Sequence, residues 1–364
     1  MTEVKRLISL DAFRGFTIAA MIMVNNPGSW SHVYEPLLHV KWHGITPTDL
    51  IFPFFIFIVG VSIALAYSKR LKAGMPKGPM YRKIIIRSLK IFLVGILLWL
   101  FPKFDLENIR YAGVLQRIAI VFFASAFLFL NTRWKTQALI AAILLVGYWL
   151  AMVLIPTPGY GQPMLEPGAN LAAFIDSKFL PGYMWQKTWD PEGILSTFPA
   201  IATGITGLLA GHIVLSKLSA ERKVIYLFSF GLFAFMIGYM WNYIFPINKN
   251  IWTSSFVMVT SGLAAMILAV SMFFVDMRGH TRFTKAGIVF GSNAIAVYVL
   301  ADVWGQFFYN IKYFGSSLNV HFMNMFESAG WSLKFGSFLF AFLFICFNYI
   351  PAWILYKKKI FIKL

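Results

Sequence analysis

Long stretches without one charged side chain recur along this chain, and they constrain its fold more than any other feature. Ile91–Phe101 and Ala138–Ile155 are two of them. In lipid every backbone N–H and C=O must find a partner within the protein, which leaves helices or a closed barrel. Weak alternation and several runs of about twenty residues favour helices over barrel strands. Composition agrees: 59% of the 364 residues are hydrophobic and 13% charged, against about a quarter charged in soluble domains. The fold expected is an all-α integral membrane protein, a bundle of about ten transmembrane helices in a single domain over residues 1–364. The spans read as 10–26, 48–68, 84–101, 111–130, 136–155, 194–215, 224–245, 252–274, 284–303 and 333–356.

The net charge of +18 does not point to nucleic acid, because no basic stripe accompanies a recognition motif. Most of the 32 basic residues fall in alternate loops, among them Lys69, Arg70, Lys72, Arg82, Lys83, Arg222, Lys223, Arg278 and Lys357–Lys359. The positive-inside rule then places both termini in the cytoplasm. Arg14 interrupts the first apolar run and no small-residue cleavage site follows, so a cleaved signal peptide is not expected. The single cysteine, Cys346, excludes an intrachain disulfide. Acidic residues such as Glu35, Asp49, Asp190, Glu192 and Asp302 fall toward the outer face. They would attract a cationic substrate such as an amino sugar, or they reflect only the avoidance of positive charge there. The longest outer loop, 157–193, has the length of a functional lid, and a second, 304–332, has room for a short interfacial helix. No internal repeat is visible.

Three histidines (His32, His39, His43) crowd the first outer loop of a chain that has six. Histidine titrates near neutrality and suits proton transfer. Zinc is disfavoured, since Gly44 and Pro47 oppose a helix that would pair His39 with His43 and no cysteine or HExxH partner is near. No metal site is expected. Thr46-Pro47-Thr48-Asp49 reads as a helix start, with Thr46 as cap and Asp49 closing a capping box. Ionisable residues in membrane helices mark sites or internal pairs. Asp11 with Arg14, Gln116 with Arg117, Asp190 with Glu192, and Asn293 with Asp302 form four such clusters. Asp11–Arg14 also reads as a plain ion pair, and Asp190 and Glu192 as acids at a helix N-terminus. Arg87 and Lys90 suit a lipid phosphate or the phosphates of a cytoplasmic nucleotide.

Ser9-Leu10-Asp11-Ala12-Phe13-Arg14-Gly15-Phe16, Val24-Asn25 and His39-Val40-Lys41-Trp42-His43-Gly44, followed by Asp49-Leu50-Ile51-Phe52-Pro53, resemble the transmembrane acetyltransferases related to heparan-α-glucosaminide N-acetyltransferase. Gly113-Val114-Leu115-Gln116-Arg117, Asp190-Pro191-Glu192-Gly193 and Asn248-Lys249-Asn250-Ile251-Trp252 match further blocks in the same order. The resemblance is to the shorter, bacterial branch, and a place in the bacterial inner membrane follows from it. It implies transfer of acetyl from cytoplasmic acetyl-CoA to the amine of glucosamine, or of a glucosamine-ended oligosaccharide, on the outer side. His39 matches the family's catalytic histidine and Asn25 an asparagine beside it. Their spacing here is longer than in the family. Arg117 matches an arginine near the acetyl-CoA path, to which Arg14, Arg87, Lys90 and Gln116 are added by position. Acceptor contacts are expected at Asp49, Asp190, Glu192 and Trp252. Direct transfer and an acetyl-histidine intermediate both fit. A homodimer and lipid contacts are further expectations. The competing readings are an amino-sugar permease, against which stands the lack of paired broken helices, and a membrane O-acyltransferase of envelope glycans.

Overall fold

The computed structural model describes residues 7–282 and 284–362. In chain order its helices are α1 (Ile8–Asn25), α2 (Ile51–Lys72), α3 (Lys77–Leu100), α4 (Val114–Asn131), α5 (Trp134–Leu154), α6 (Leu171–Phe179), α7 (Thr197–Leu215), α8 (Ala220–Trp241), α9 (Ser254–Ser271), α10 (Lys285–Ser292), α11 (Ala294–Tyr309), α12 (Leu318–Ser328) and α13 (Leu333–Lys357). The only sheet among the described residues is a two-residue hairpin, β1 (Leu165–Glu166) with antiparallel β2 (Ala169–Asn170). Eight described helices are long and apolar enough to cross a membrane, and nine if the bent pair α10–α11 is one span. The protein is a multi-pass integral membrane protein, as its apolar runs dictate. Helix α3 is not among the eight: Arg82, Lys83, Arg87 and Lys90 confine its uncharged run to its second half.

Contacts divide the chain into two compact units, one of Lys41–Ile45 and Pro53–Met277, the other of Leu7–Val40, Thr46–Phe52 and Arg278 onward. In the first unit helices meet through glycine, because association in lipid relies on close backbone approach. A Cβ on Gly60 would lie 2.1 Å from the Gly204 carbonyl oxygen, and one on Gly231 2.6 Å from that of Gly262. The loop expected over 157–193 carries the hairpin and α6, whose N-cap Asn170 accepts from the Ala173 N–H at 2.9 Å. Helix α9 runs on into a π-helical turn over Met272–Met277.

The second unit has the same construction. A Cβ on Gly15 of α1 would fall 1.7 Å from the Gly287 carbonyl oxygen of α10, and one on Gly291 2.1 Å from that of Asp11. The continuous helix expected over 284–303 is broken instead: α10 and α11 meet at 84°. Asn293 sits at the break. Its Nδ2 donates to the Ile360 carbonyl oxygen (3.0 Å) and its Oδ1 accepts from the Ile362 N–H (2.8 Å). The short helix expected within 304–332 is α12, whose Asn319 Nδ2 donates to the Gly28 carbonyl oxygen at 3.1 Å.

Candidate active site

In the second unit, the loop after α1 brings His39 onto Asp49. Pro47–Leu50 forms a 3-10 turn with the expected Thr46/Asp49 capping box, and the same carboxylate serves the histidine. His39 Nδ1 lies 2.7 Å from Asp49 Oδ1. Asp49 Oδ2 accepts from the N–H of Val40 (3.2 Å) and of Thr46 (3.0 Å). The Thr46 hydroxyl hydrogen is shared between Asp49 Oδ2 (2.9 Å) and the Leu38 carbonyl oxygen (2.7 Å). Asp49 is fully buried, whereas the His39 side chain is 48% exposed. A carboxylate oxygen at Nδ1 accepts the ring proton's hydrogen bond there and leaves the basic lone pair on Nε2. The capping residue thus sets the histidine's tautomer. Asp49, expected to meet the acceptor, lies beneath the imidazole.

Asn25 is the last residue of α1 and its side chain is exposed. The chain leaving α1 is pinned next to it. Asn26 Nδ2 donates to the Ile22 carbonyl oxygen (2.8 Å), the Gly28 N–H donates to that of Ser337 (3.1 Å), and the Tyr309 hydroxyl donates to that of Pro27 (3.0 Å). Gly28 is closely packed here: a Cβ would lie 2.9 Å from Met323 Sδ, 3.0 Å from Phe340 Cβ and 3.1 Å from Ser337 Cα. Arg14, expected on the donor path, pairs with Asp11 at 2.8 Å and donates to the Gly291 carbonyl oxygen at 3.3 Å.

In the first unit a second cluster gathers around Arg110, which no sequence motif singles out. Arg110 grips Asp190 with two nitrogens (2.8 and 2.7 Å) and Glu192 with one (2.8 Å), and its guanidinium lies 5.1 Å from the Trp185 ring centroid. Burial works against the Arg110 charge, but the two carboxylates outweigh it and raise its pKa. Burial pushes the Glu192 carboxyl up, against the opposing pull of Arg110. Helix α7 starts at Thr197, so Asp190 and Glu192 are not its cap. Both acceptor candidates are committed to this ion-pair network.

Beneath them Asp176 accepts from the N–H groups of Ile194 (2.8 Å) and Asp190 (3.3 Å). Burial lifts its carboxyl to about 6, against those two hydrogen bonds. Gly193 is glycine because a Cβ would lie 1.9 Å from an Asp176 carboxylate oxygen.

Arg117 is buried, donates to Ser196 Oγ and to the Gly193 carbonyl oxygen (3.2 Å), and lies 5.1 Å from the Trp252 ring centroid. Trp252 is itself buried, adopts a left-handed φ of 51°, and donates from Nε1 to Thr203 Oγ1 at 3.1 Å. Gln116 packs against Gly95 of α3 and donates to the Arg110 carbonyl oxygen at 3.3 Å. Arg87 lies over the Phe122 ring (4.7 Å), about 12 Å from Gly95 along α3 by helical rise, and Lys90 is exposed.

The aromatic loop 41–45 also belongs to this unit. Trp42 Nε1 donates to the Leu165 carbonyl oxygen (2.9 Å) and the ring meets Trp189 edge-on at 5.5 Å. His43 lies 3.3 Å from Asn248 Nδ2, and burial lowers its pKa against the charge of Glu166. No group of three or more metal-ligating side chains occurs among the described residues.

Fold and side chains together define a multi-pass membrane protein with an exposed histidine seated on a buried carboxylate, an arrangement suited to proton transfer. Residues 6–238 match the family described as heparan-alpha-glucosaminide N-acetyltransferase, catalytic, and the chain belongs to that family. It is similar to heparan-alpha-glucosaminide N-acetyltransferase of Homo sapiens, at 29% identity over 99% of this chain and 60% of the human protein. The Mus musculus protein of the same name is 27% identical over 100% of this chain and 61% of its own length. The chain thus spans about 60% of the length of these relatives.

Proposed function

We propose that this protein is a membrane N-acetyltransferase that moves acetyl from acetyl-CoA to the amine of glucosamine or of a terminal glucosaminide. The donor is taken from the cytoplasm and the acceptor from the outer side, an orientation that rests on the positive-inside bias. The observation that carries the reading is His39 on Asp49 in a chain of this family.

An ammonium is not nucleophilic. With Nδ1–H tied to Asp49, His39 Nε2 takes a proton from the acceptor nitrogen as it attacks the thioester carbon. The new C–N bond forms, the C–S bond breaks, and CoA leaves as a thiol. One proton is released for each ammonium consumed. Asn25, exposed at the end of α1, donates a hydrogen bond to the oxyanion that develops on the thioester carbonyl. Asp49 acts through His39 and is a positioning residue. The Arg110 network and Arg117 fix the loop from Asp176 to Ser196 within the first unit.

The test uses purified protein, radiolabelled acetyl-CoA and glucosamine, with His39→Ala beside the wild type. Labelled N-acetylglucosamine that falls by about 10²–10⁴ in the mutant supports the reading. Equal product from the mutant would discard His39. Absence of product from folded wild-type protein across amines and short oligosaccharides would favour a permease, for which the broken pair α10–α11 is the one supporting feature.

A further inference from the structure

Asp302 is an acid in a membrane-spanning helix pair that neither the acetyl-transfer scheme nor the packing uses. Asp11, Asp49, Asp176, Asp190 and Glu192 all have partners. Asp302 makes no hydrogen bond or ion pair among the described residues, and it is exposed. An ionisable side chain in a membrane helix marks a functional site by default, and a carboxylate there calls for a cationic partner.

Its direction follows from α11. Tyr298, Asp302, Gly305 and Tyr309 are spaced i, i+4, i+7, i+11 and share one face. Two of them locate that face. The Tyr309 hydroxyl donates to the Pro27 carbonyl oxygen at 3.0 Å, and a Cβ on Gly305 would lie 3.5 Å from Asn26 Oδ1. The stripe therefore faces the exit of α1. Asp302 sits three residues below Gly305 on it, about 4.5 Å along the axis, alongside the last turn that ends in Asn25. This unit also holds His39.

We propose that the Asp302 carboxylate receives the cationic amino group of the acceptor, an inference that rests on the acetyltransferase reading. The acceptor is the one reactant in that scheme that arrives with a positive charge. A charge-assisted hydrogen bond holds the ammonium and has no counterpart for the neutral amide product. The same carboxylate thus admits the substrate and lets the acetylated sugar leave.

The test is a binding measurement, independent of turnover. Glucosamine and N-acetylglucosamine are titrated calorimetrically into wild-type protein, Asp302→Asn and Asp302→Ser in nanodiscs, with thermal melts of each. Wild-type protein is expected to favour glucosamine by about tenfold. The variants are expected to bind both sugars within twofold, with unchanged melts and an unchanged KM for acetyl-CoA. A preference that survives in a folded variant overturns the proposal, and so does a loss of fold in both variants, which would make the carboxylate structural. Wild-type protein that prefers glucosamine yet transfers no acetyl sinks the acetyltransferase reading and leaves the amine site standing. Wild-type protein that transfers acetyl without preferring glucosamine sinks the Asp302 site alone.

Discussion

Asp49→Asn separates the two duties of one carboxylate. Asp49 Oδ2 takes the Val40 and Thr46 N–H groups and shares the Thr46 hydroxyl, and Oδ1 takes His39 Nδ1. An asparagine keeps the cap by turning its carbonyl oxygen toward Val40 and Thr46. Its NH2 then faces His39 Nδ1, which must accept instead of donate. The ring proton moves to Nε2, and the base is lost from the nitrogen that needs it. General-base loss of about 10²–10⁴ in kcat corresponds to about 2.7–5.4 kcal/mol in the barrier. The stability cost is smaller, about 1–3 kcal/mol, since one charge-assisted bond is lost and the others weaken to neutral ones. The assay is kcat and KM for glucosamine with a thermal melt on the same preparation. A folded Asp49→Asn protein with wild-type kcat would refute the tautomer argument, and a fall confined to KM would return Asp49 to direct acceptor contact.

Three further outcomes follow from the packing and the charges. Arg110→Gln should destabilise the fold by about 3–5 kcal/mol, because Asp190 and Glu192 are left buried without their cation; a denaturant melt reads this, and a shift under 1 kcal/mol would contradict the network. For Asp176, burial lifts the folded pKa to about 6, above the ordinary 3.8. The protonated carboxyl is therefore favoured by folding, and that contribution is complete below 3.8 and lost as pH rises through about 6. Between pH 7 and pH 5 the wild type should gain stability relative to Asp176→Asn, and parallel pH profiles would count against it. Gly15→Ala should cost at least about 1–3 kcal/mol by overpacking α1 on α10, while Gly147→Ala, with nothing within 4 Å of the added carbon, should be neutral or stabilise α5 by about 0.5–1 kcal/mol. Similar melts for the two variants would show that the seam yields.

Much of this architecture was legible because lipid imposes a simple rule on sequence. Apolar runs gave the helices, and Thr46-Pro47-Thr48-Asp49 gave its turn through cap chemistry alone. What local pattern did not carry is how one group serves two partners. The contact of Asp49 with His39 crosses an irregular loop, where no period relates the residues. Arg110 and Asp190 are 80 positions apart, and opposite charges in two loops do not announce a pair. The break at Asn293 was invisible for a related reason: apolarity continues unchanged through it, and the cause lies in the backbone of residues 360–362. The left-handed backbone of Trp252 has no sequence signal at all, since non-glycine residues seldom adopt it.

The amide of Asn293 offers one acceptor and one donor to Ile362 and Ile360, the same pair of valences a peptide unit offers across a β-ladder. A side chain here impersonates a strand. Residues 360–362 dock on it through both bonds, and the corner between α10 and α11 is held from outside the helices that form it. The angle of α11, and with it the height at which Asp302 stands beside α1, is therefore set by a length of chain that enters neither helix.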